Sequence, residues 1–432
     1  MTLKNITSTL LTVLILTSWH SGYACSMYKI TINDKTMVGC NEDAWRLTSR
    51  IWFENGTNTN PYGAAFTGSR FDGANGYAPQ SGMNEFGLSF SRLASHKPEN
   101  HITIPQNKKN ISNPTLYLKQ IIHSCKTVEE VKDFISQYDY SYFIEDVFIY
   151  IDRSGKYLVV EPYHMSIGQE SKYVLSNFCP SATPEKDAMK LDRYRKGIGF
   201  LKNKLDTTLS FCTALSDTMH VCREKIGDGT LLTSIWDLKN GHIHLCFYHQ
   251  YKNSVQFSLK DELAKGDHMI EIPALFEPNS EFEQLRHYKI PQNNMLIMGF
   301  LMASGILFFL SSLFFIINYF RTGQNTKYAY IQLALFPLGF ILLFYMFTLC
   351  RTTYIFYFPS PYRDTQNIFV SMVSYVPFLI LLLIIPFLLI NRKLWKEKLW
   401  GSFSKWLFTL NNAVYSVLLV LFVYWGLFNV FG

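Results

Sequence analysis

The sequence has no run of lysines and arginines interleaved with aromatic residues, and charged residues make up only 17% of its 432 residues. A nucleic-acid surface needs a concentrated basic patch, so this shortage excludes nucleic acid as a partner. Much of the formal net charge of +7 belongs instead to short loops between long apolar segments. Membrane topology produces that pattern.

The sequence also has no CxxC pair and no metal-ligand spacing. Its eight cysteines are at positions 25, 40, 125, 179, 212, 222, 246 and 350. In an exported domain some of them could form disulfides, and Cys212 with Cys222 is the nearest pair, but spacing does not fix connectivity. His242 and His244 alternate on one face of a predicted strand without a third ligand nearby, so we expect neither a metal nor an organic cofactor.

The N-terminus has the features of a secretory signal peptide over residues 1–24. Lys4 gives the positive charge, a short apolar core follows, and Gly22 and Ala24 are the small residues of a cleavage site. Cleavage there would leave Cys25 as the first residue. An uncleaved anchor is the alternative, but the apolar core is too short to span about 30 Å of bilayer comfortably.

The last third of the chain is mostly apolar. We therefore predict an exported globular domain over residues 25–285 and a membrane domain over 286–432. Four runs of the membrane domain are long enough to cross a bilayer as helices, at about 295–320, 328–350, 368–390 and 407–431.

The loops between these runs predict their orientation. The first and third loops carry seven basic residues, namely Arg321, Lys327, Arg392, Lys393, Lys396, Lys398 and Lys405, whereas the second has Arg351 and Arg363. Basic loops stay in the cytoplasm, which places the N-terminal domain on the other side, in agreement with the signal peptide. We predict a multi-pass protein of the plasma (inner) membrane, with the lipid bilayer as a partner and the large domain on the periplasmic or extracellular side.

The apolar runs hold almost no charge, so they offer no proton relay or ion path. An anchor and packing bundle is therefore favoured over a transporter. Asn411 and Asn412, near the start of the fourth run, are the polar exception. They either join helices through hydrogen bonds or lie near the membrane interface.

The exported part shows three hairpin patterns. Alternating runs at 26–32 and 36–39 flank Asn33-Asp34, a second pair lies at 148–151 and 157–161, and a third flanks Asn240-Gly241. Asn-Gly between alternating runs is a strong hairpin signal. Helices are predicted over 116–138, with a capping box at Thr127 for its second part, and over 184–204. Antiparallel strand pairs with helices between them favour an α+β layered domain.

A free N-terminal cysteine would carry its own base. An α-amino group has a pKa of about 7.7–8.0, close to that of a thiol near 8.5. One residue can thus take up the thiol proton and later pass it to a leaving amine. Asp43, at the end of the strand beside Cys25, is a candidate to orient that amine. A lipidated cysteine is the alternative, although Gly22 stands where a lipobox normally has an aliphatic residue.

Several short segments, in a fixed order, carry a family resemblance. They are Cys25-Ser26, VGCNED at 38–43, GMNEFGL at 82–88, SGKYLVVE at 154–161, VLSN at 174–177, DRY at 192–194 and TSIWD at 233–237. Together they resemble the choloylglycine hydrolase and penicillin V acylase family of N-terminal nucleophile hydrolases, over residues 25 to about 260.

The resemblance implies an αββα sandwich and hydrolysis of a linear, non-peptide C–N amide bond. It implies that Cys25 is the nucleophile and, through its amine, the base. It further implies that Asp43 orients the amine, that Asn177 donates to the oxyanion, and that Arg193 supports the site electrostatically. Two positions depart from the family pattern. Cys40 replaces an arginine, whose space Arg46 or Arg50 could reach, and Ala94-Ser95 stands where a second oxyanion asparagine is expected.

We therefore expect a membrane-anchored, outward-facing hydrolase of a small or lipid-like N-acyl amide, acting through a Cys25 thioester. Aromatic residues such as Trp45, Trp52, Phe53 and Phe66 could line an acyl pocket, although core packing is the commoner use of such residues. The alternatives are an acyltransferase that uses the same thioester, a non-catalytic receptor or assembly protein, and a lipoprotein.

Overall fold

The computed structural model describes residues 25–43, 47–95, 108–222, 229–323, 326–363 and 367–430. The chain divides into two compact units, one that ends at Arg286 and one that begins at His287. The predicted signal peptide lies outside the described residues.

The first unit contains two large sheets in which every strand pair is antiparallel. The six-stranded sheet consists, in spatial order, of β12 (Lys172–Leu175), β1 (Cys25–Ile32), β2 (Lys35–Asp43), β13 (Thr230–Asp237), β14 (His242–Phe247) and β15 (Gln250–Ser258). The eight-stranded sheet consists of β11 (His164–Gly168), β10 (Tyr157–Glu161), β9 (Asp146–Ile151), β8 (Ser89–Ala94), β7 (Ser81–Asn84), β4 (Ala64–Gly68), β3 (Arg50–Glu54) and β16 (His268–Glu271). The short strands β5 (Arg70–Phe71) and β6 (Tyr77–Ala78) pair with each other. All three predicted hairpins are present, as β1–β2, β9–β10 and β13–β14.

Helices cover the outer face of each sheet. Helices α1 (Pro114–Ser124) and α2 (Val128–Ile135) pack on the eight-stranded sheet, and α4 (Asp192–Asn203) and α5 (Leu209–Met219) pack on the six-stranded sheet. The remaining helices of this part are α3 (Glu185–Ala188), α6 (Leu259–Leu263) and α7 (Ser280–His287). The two sheets face each other, so the predicted αββα sandwich is confirmed.

Alternation along the strands explains this layering. In β9, Phe148 and Tyr150 belong to the core beneath α1 and α2, whereas Ile149 is buried on the opposite face. Successive side chains of a strand point to opposite faces, so a strand with helices on one side and a sheet on the other is buried along its whole length.

Each long helix predicted in this domain is in fact two helices. The predicted helix over 116–138 is interrupted after Ser124, and Thr127 caps the second piece by accepting a hydrogen bond from the Glu130 backbone N–H at 3.3 Å. The capping-box sequence was thus the correct signal for a new helix start. The helix predicted over 184–204 is divided in the same way into α3 and α4.

Gly39 allows the six-stranded sheet to accept helix α5. A Cβ at Gly39 would lie 2.1 Å from Cζ of Tyr28 on the neighbouring strand. The Tyr28 ring crosses this space so that its hydroxyl donates to the Cys212 carbonyl at 2.6 Å and lies 3.0 Å from the Ser216 hydroxyl, both on α5.

Among the described residues of the second unit, four helices are long and apolar enough to cross a membrane: Met295–Arg321, Ala329–Arg351, Ile368–Lys396 and Ser402–Tyr424. Their regular α-helical parts are α8 (Met295–Asn318), α9 (Ala329–Arg351), α11 (Ile368–Val373) with α12 (Val376–Lys396), and α13 (Ser402–Tyr424), and the short α10 (Tyr354–Tyr357) follows α9. The fourth helix begins at Ser402, five residues before the predicted start at residue 407. Its first turn includes polar residues, which a search for apolar runs does not assign to a membrane helix. It ends before Gly426, which has a φ of 61°, a conformation that glycine adopts readily.

The earlier start of α13 changes the position of its two asparagines. Asn411 and Asn412 lie well inside the helix and are buried. The Asn411 side chain accepts a hydrogen bond from the Ser311 hydroxyl on α8 at 3.2 Å. Asn411 therefore joins two helices through a hydrogen bond, as the first of the two alternatives predicts.

We predict that Gly39→Ala destabilises the protein by about 1–3 kcal/mol, the usual range for overpacking a core. The added methyl group must displace the Tyr28 ring and its hydrogen bonds to α5. Gly199→Ala in α4 is the matched control, since nothing lies within 4 Å of its Cβ position and alanine favours a helix. Thermal unfolding of the detergent-solubilised chain measures both, and equal melting temperatures for the two variants would contradict the prediction.

Candidate active site

Cys25 lies at the start of β1, on the face of the six-stranded sheet that is turned toward the other sheet. In the β1–β2 ladder Cys25 is opposite Glu42 and Met27 is opposite Cys40, so these four side chains share one face. The Glu42 carboxylate accepts a hydrogen bond from the Thr67 hydroxyl on β4 at 2.5 Å, which identifies this face as the one between the sheets. The Cys25 side chain is buried there.

Asn177 holds the backbone nitrogen of Cys25. This residue follows β12, the other neighbour of β1, and its Oδ1 accepts a hydrogen bond from the Cys25 nitrogen at 2.9 Å. Its Nδ2 donates to the Ala94 carbonyl at 2.7 Å. In this chain the Cys25 nitrogen is a peptide N–H, and an α-amino group formed by the expected cleavage would take the same position.

Arg193, the fourth predicted residue, links Asp43 to the Cys25 backbone. It is buried in α4, and its Nε donates to the Ser176 hydroxyl at 2.8 Å. Ser176 in turn donates to the Cys25 carbonyl at 3.1 Å. The Arg193 Nη1 lies 3.5 Å from Oδ2 of Asp43, whose side chain is only 2% exposed. All four residues predicted from the sequence therefore lie together.

The surroundings of the thiol keep it protonated. Burial, the Asp43 carboxylate and the Glu42 carboxylate raise the pKa of Cys25 to about 12, while a backbone hydrogen bond from Asp43 and the Arg193 charge oppose that rise. A thiol with such a pKa is not a nucleophile at neutral pH without a base. An amine on the same residue could act as that base.

The arginine that Cys40 replaces has no substitute in the described residues around Cys25. Arg50 pairs with Glu271 and stacks over Tyr77 at 5.5 Å, and Arg46 lies outside the described residues. Cys40 is buried between the sheets. A buried thiol brings no fixed positive charge, so Arg193 is the cation acting on Cys25.

Glu42 was not identified from the sequence as a site residue. It lies between the sheets and accepts hydrogen bonds from Thr67 and, at 3.0 Å, from the Ser81 hydroxyl. Burial raises the pKa of Glu42 to about 7, although the two hydroxyl groups lower it. The signal was present in the strand alternation, because a residue paired with Cys25 must share its face.

Thr230 and Gln80 also lie near the site, and neither was predicted from the sequence. The Thr230 hydroxyl donates to Oδ1 of Asp43 at the β2–β13 pairing. The Gln80 side chain, just before β7, places its Nε2 4.0 Å from the Cys25 sulfur. No motif marks Gln80, since only the folded β6–β7 turn brings it to the thiol.

Of the aromatic residues proposed for an acyl pocket, Trp52 and Phe53 line a cavity together with His123 and His268. Trp52 and Phe66 stack at 5.7 Å within the core beneath α1, and Phe53 stacks on His268 at 4.9 Å. Trp45 lies outside the described residues. Within the part of the chain that the structure describes, no three His, Cys, Asp or Glu side chains are grouped to hold a metal ion. The cysteines at positions 25, 40, 125, 179, 212, 246 and 350 are free thiols.

No family model matches the sequence, and no curated protein matches it. Among solved structures, a mutant of conjugated bile acid hydrolase from Clostridium perfringens is 16% identical, with a TM-score of 0.44, covering 59% of this chain and 97% of that chain. A second variant of that hydrolase is 17% identical, with a TM-score of 0.43 and the same coverage. Penicillin V acylase from Agrobacterium tumefaciens is 15% identical, with a TM-score of 0.38, covering 52% of this chain and 83% of that chain. These are the kinds of protein that the sequence motifs resemble.

We predict that Glu42→Gln removes a pH dependence of stability. The raised pKa of Glu42 means that the folded protein keeps this proton up to about pH 7, whereas the unfolded chain releases it near pH 4.3. The stabilisation is therefore complete below about pH 4.3 and is lost as the pH rises toward 7. The melting temperature of Glu42→Gln relative to wild type should rise across this interval. The exposed Glu281→Gln is the control, and parallel curves for all three proteins would refute the prediction.

We predict that Arg193→Met slows alkylation of the Cys25 thiol. Arg193 lowers the pKa of this thiol, so its loss reduces the thiolate fraction by about tenfold for each unit of pKa increase. Iodoacetamide labelling rates measured against pH should shift to higher pH. Arg195→Met, an exposed change on the same helix, serves as the control for folding. A variant with an unshifted profile would mean that Arg193 does not act on the thiol.

Proposed function

We propose that this chain is a hydrolase of linear, non-peptide N-acyl amides, with Cys25 as its N-terminal nucleophile. The observation that carries the proposal is the position of Cys25. Its nitrogen is held by Asn177, and its buried thiol is under the influence of Asp43 and Arg193. A cysteine whose nitrogen and sulfur are both placed in one polar site can serve as base and nucleophile together.

The reaction has two steps. The Cys25 sulfur bonds to the acyl carbon while the α-amino group takes the thiol proton, and the C–N bond then breaks as the leaving amine receives that proton. Water next attacks the thioester, which releases the carboxylic acid and restores the thiol. Asp43 would position the amine. Asn177, expected from the resemblance to donate to the oxyanion, also accepts from the Cys25 nitrogen and would help to position the amine. Arg193 would offset the Asp43 charge and favour the thiolate.

The domain boundaries are part of the proposal. Residues 1–24 would be a signal peptide whose removal exposes Cys25, residues 25–285 the catalytic domain, and residues 286–432 the membrane anchor. The apolar helices of the second unit and the basic residues of their first and third connections support an outward-facing domain at the plasma (inner) membrane. An anchored enzyme of this kind is suited to a lipid-like acyl group.

The proposal predicts that the membrane-extracted protein begins with an unmodified Cys25 and hydrolyses N-acyl 4-nitroanilides. Turnover should fall to the uncatalysed rate in Cys25→Ala and persist in Cys222→Ala, a change at an exposed cysteine. Octanoyl, dodecanoyl and hexadecanoyl anilides test the preference for long acyl chains, with release of 4-nitroaniline as the measurement.

The other outcomes identify the alternatives. An acylated Cys25 in the N-terminal peptide mass would indicate a lipoprotein. An N-acyl product formed from an added amine would indicate an acyltransferase. A free Cys25 without turnover on any of these amides would favour a receptor or assembly role.

A further inference from the structure

The site has a shortage of donors for a developing oxyanion. The position of the expected second asparagine is occupied by Ala94-Ser95, and the Ala94 carbonyl is itself an acceptor for Asn177. The Ser95 hydroxyl is engaged with the Cys179 sulfur at 3.5 Å, and its backbone N–H donates to the Glu145 carbonyl. Asn177 is fixed between Ala94 and the Cys25 nitrogen. Ala94 has no side-chain donor and the Ser95 hydroxyl is engaged elsewhere, so Asn177 could offer an oxyanion only the second proton of its amide.

Gln80 does direct a donor there. Its backbone is fixed on both sides, since its N–H donates to the Thr67 carbonyl and its carbonyl accepts from the Arg92 N–H, each at 2.8 Å. Its side-chain Nε2 donates to the Arg92 carbonyl and also lies 4.0 Å from the Cys25 sulfur. An amide NH₂ has two protons, so one can be held by Arg92 while the other faces the reacting atom.

We propose that Gln80 is a catalytic residue that stabilises the tetrahedral oxyanion on the acyl carbon bonded to Cys25. The oxygen of an attacked carbonyl lies further from the sulfur than the acyl carbon does, so a donor at this distance can come within about 2.7–3.1 Å of it. The Arg92 contact holds the donor in place before the reaction, which is the condition for strong electrostatic stabilisation. This inference rests on the proposed amide hydrolysis and names the group that replaces the missing asparagine.

The test compares Gln80→Met, which keeps the side-chain length and loses the N–H groups, with wild type and with Gln256→Met, a change at an exposed glutamine of β15. With N-dodecanoyl 4-nitroanilide, kcat of Gln80→Met should fall by about 10²–10³-fold, as for the loss of one oxyanion donor. KM should remain close to that of wild type. Gln80→Glu is a second variant of similar shape in case the methionine disturbs folding.

Two probes separate a catalytic role from a structural one. Dodecanal adds to the thiol and forms a tetrahedral adduct, so its affinity should fall in step with kcat. Iodoacetamide alkylation of Cys25 forms no oxyanion, so its rate should stay close to that of wild type. An unchanged kcat, or an equal loss in the alkylation rate, would overturn the proposal.

The same probes distinguish failure of this inference from failure of the proposed function. If wild type turns over amides and Gln80→Met does so equally well, only the inference fails. If wild type neither hydrolyses the anilide nor binds dodecanal through Cys25, both fail together.

Discussion

The pairing of β1 with β2 is the constraint on which the rest of the site depends. This register places Cys25 at the strand end opposite Glu42 and points its thiol between the two sheets, where it is buried. Every electrostatic effect at the site follows from that position. Burial raises the pKa of the thiol, and the Asp43 charge raises it further. A nucleophilic Cys25, as proposed, would need an internal base and a nearby cation, and its α-amino group after cleavage and Arg193 would supply them.

The two sheets are held together by polar contacts as well as by apolar packing. Glu42 accepts from hydroxyl groups on the opposite sheet. Farther along β1, the buried Lys29 donates to the Gly155 carbonyl at 2.6 Å, and burial lowers its pKa to about 8. Buried charged groups are costly unless they are hydrogen-bonded. These bonds therefore specify how the sheets are aligned, and the alignment brings Gln80 of one sheet to the thiol of the other.

Several features could be predicted because they depend on local patterns. The hairpins followed from alternation with turn residues, and the apolar helices followed from length and composition. Asp43, Asn177 and Arg193 came from motif resemblance, and the fold brings them together through contacts between distant parts of the chain. The division of 116–138 into two helices could be predicted only in part. The capping sequence marks where the second helix starts, but nothing in the sequence marked where the first helix ends. The start of α13 was placed too late, because hydropathy reports apolar residues and not the backbone hydrogen bonds of a helix.

The sequence by itself determined the strand and helix types, the two-part organisation, and the candidate nucleophile, since each depends on short-range periodicity or on the order of motifs. Only the tertiary structure decided that Asn177 binds the Cys25 nitrogen, that Glu42 faces the thiol between the sheets, and that Gln80 directs an amide donor at the sulfur. Those contacts join residues of separate strands and loops. Their distances depend on sheet register and layer packing, which no local pattern encodes.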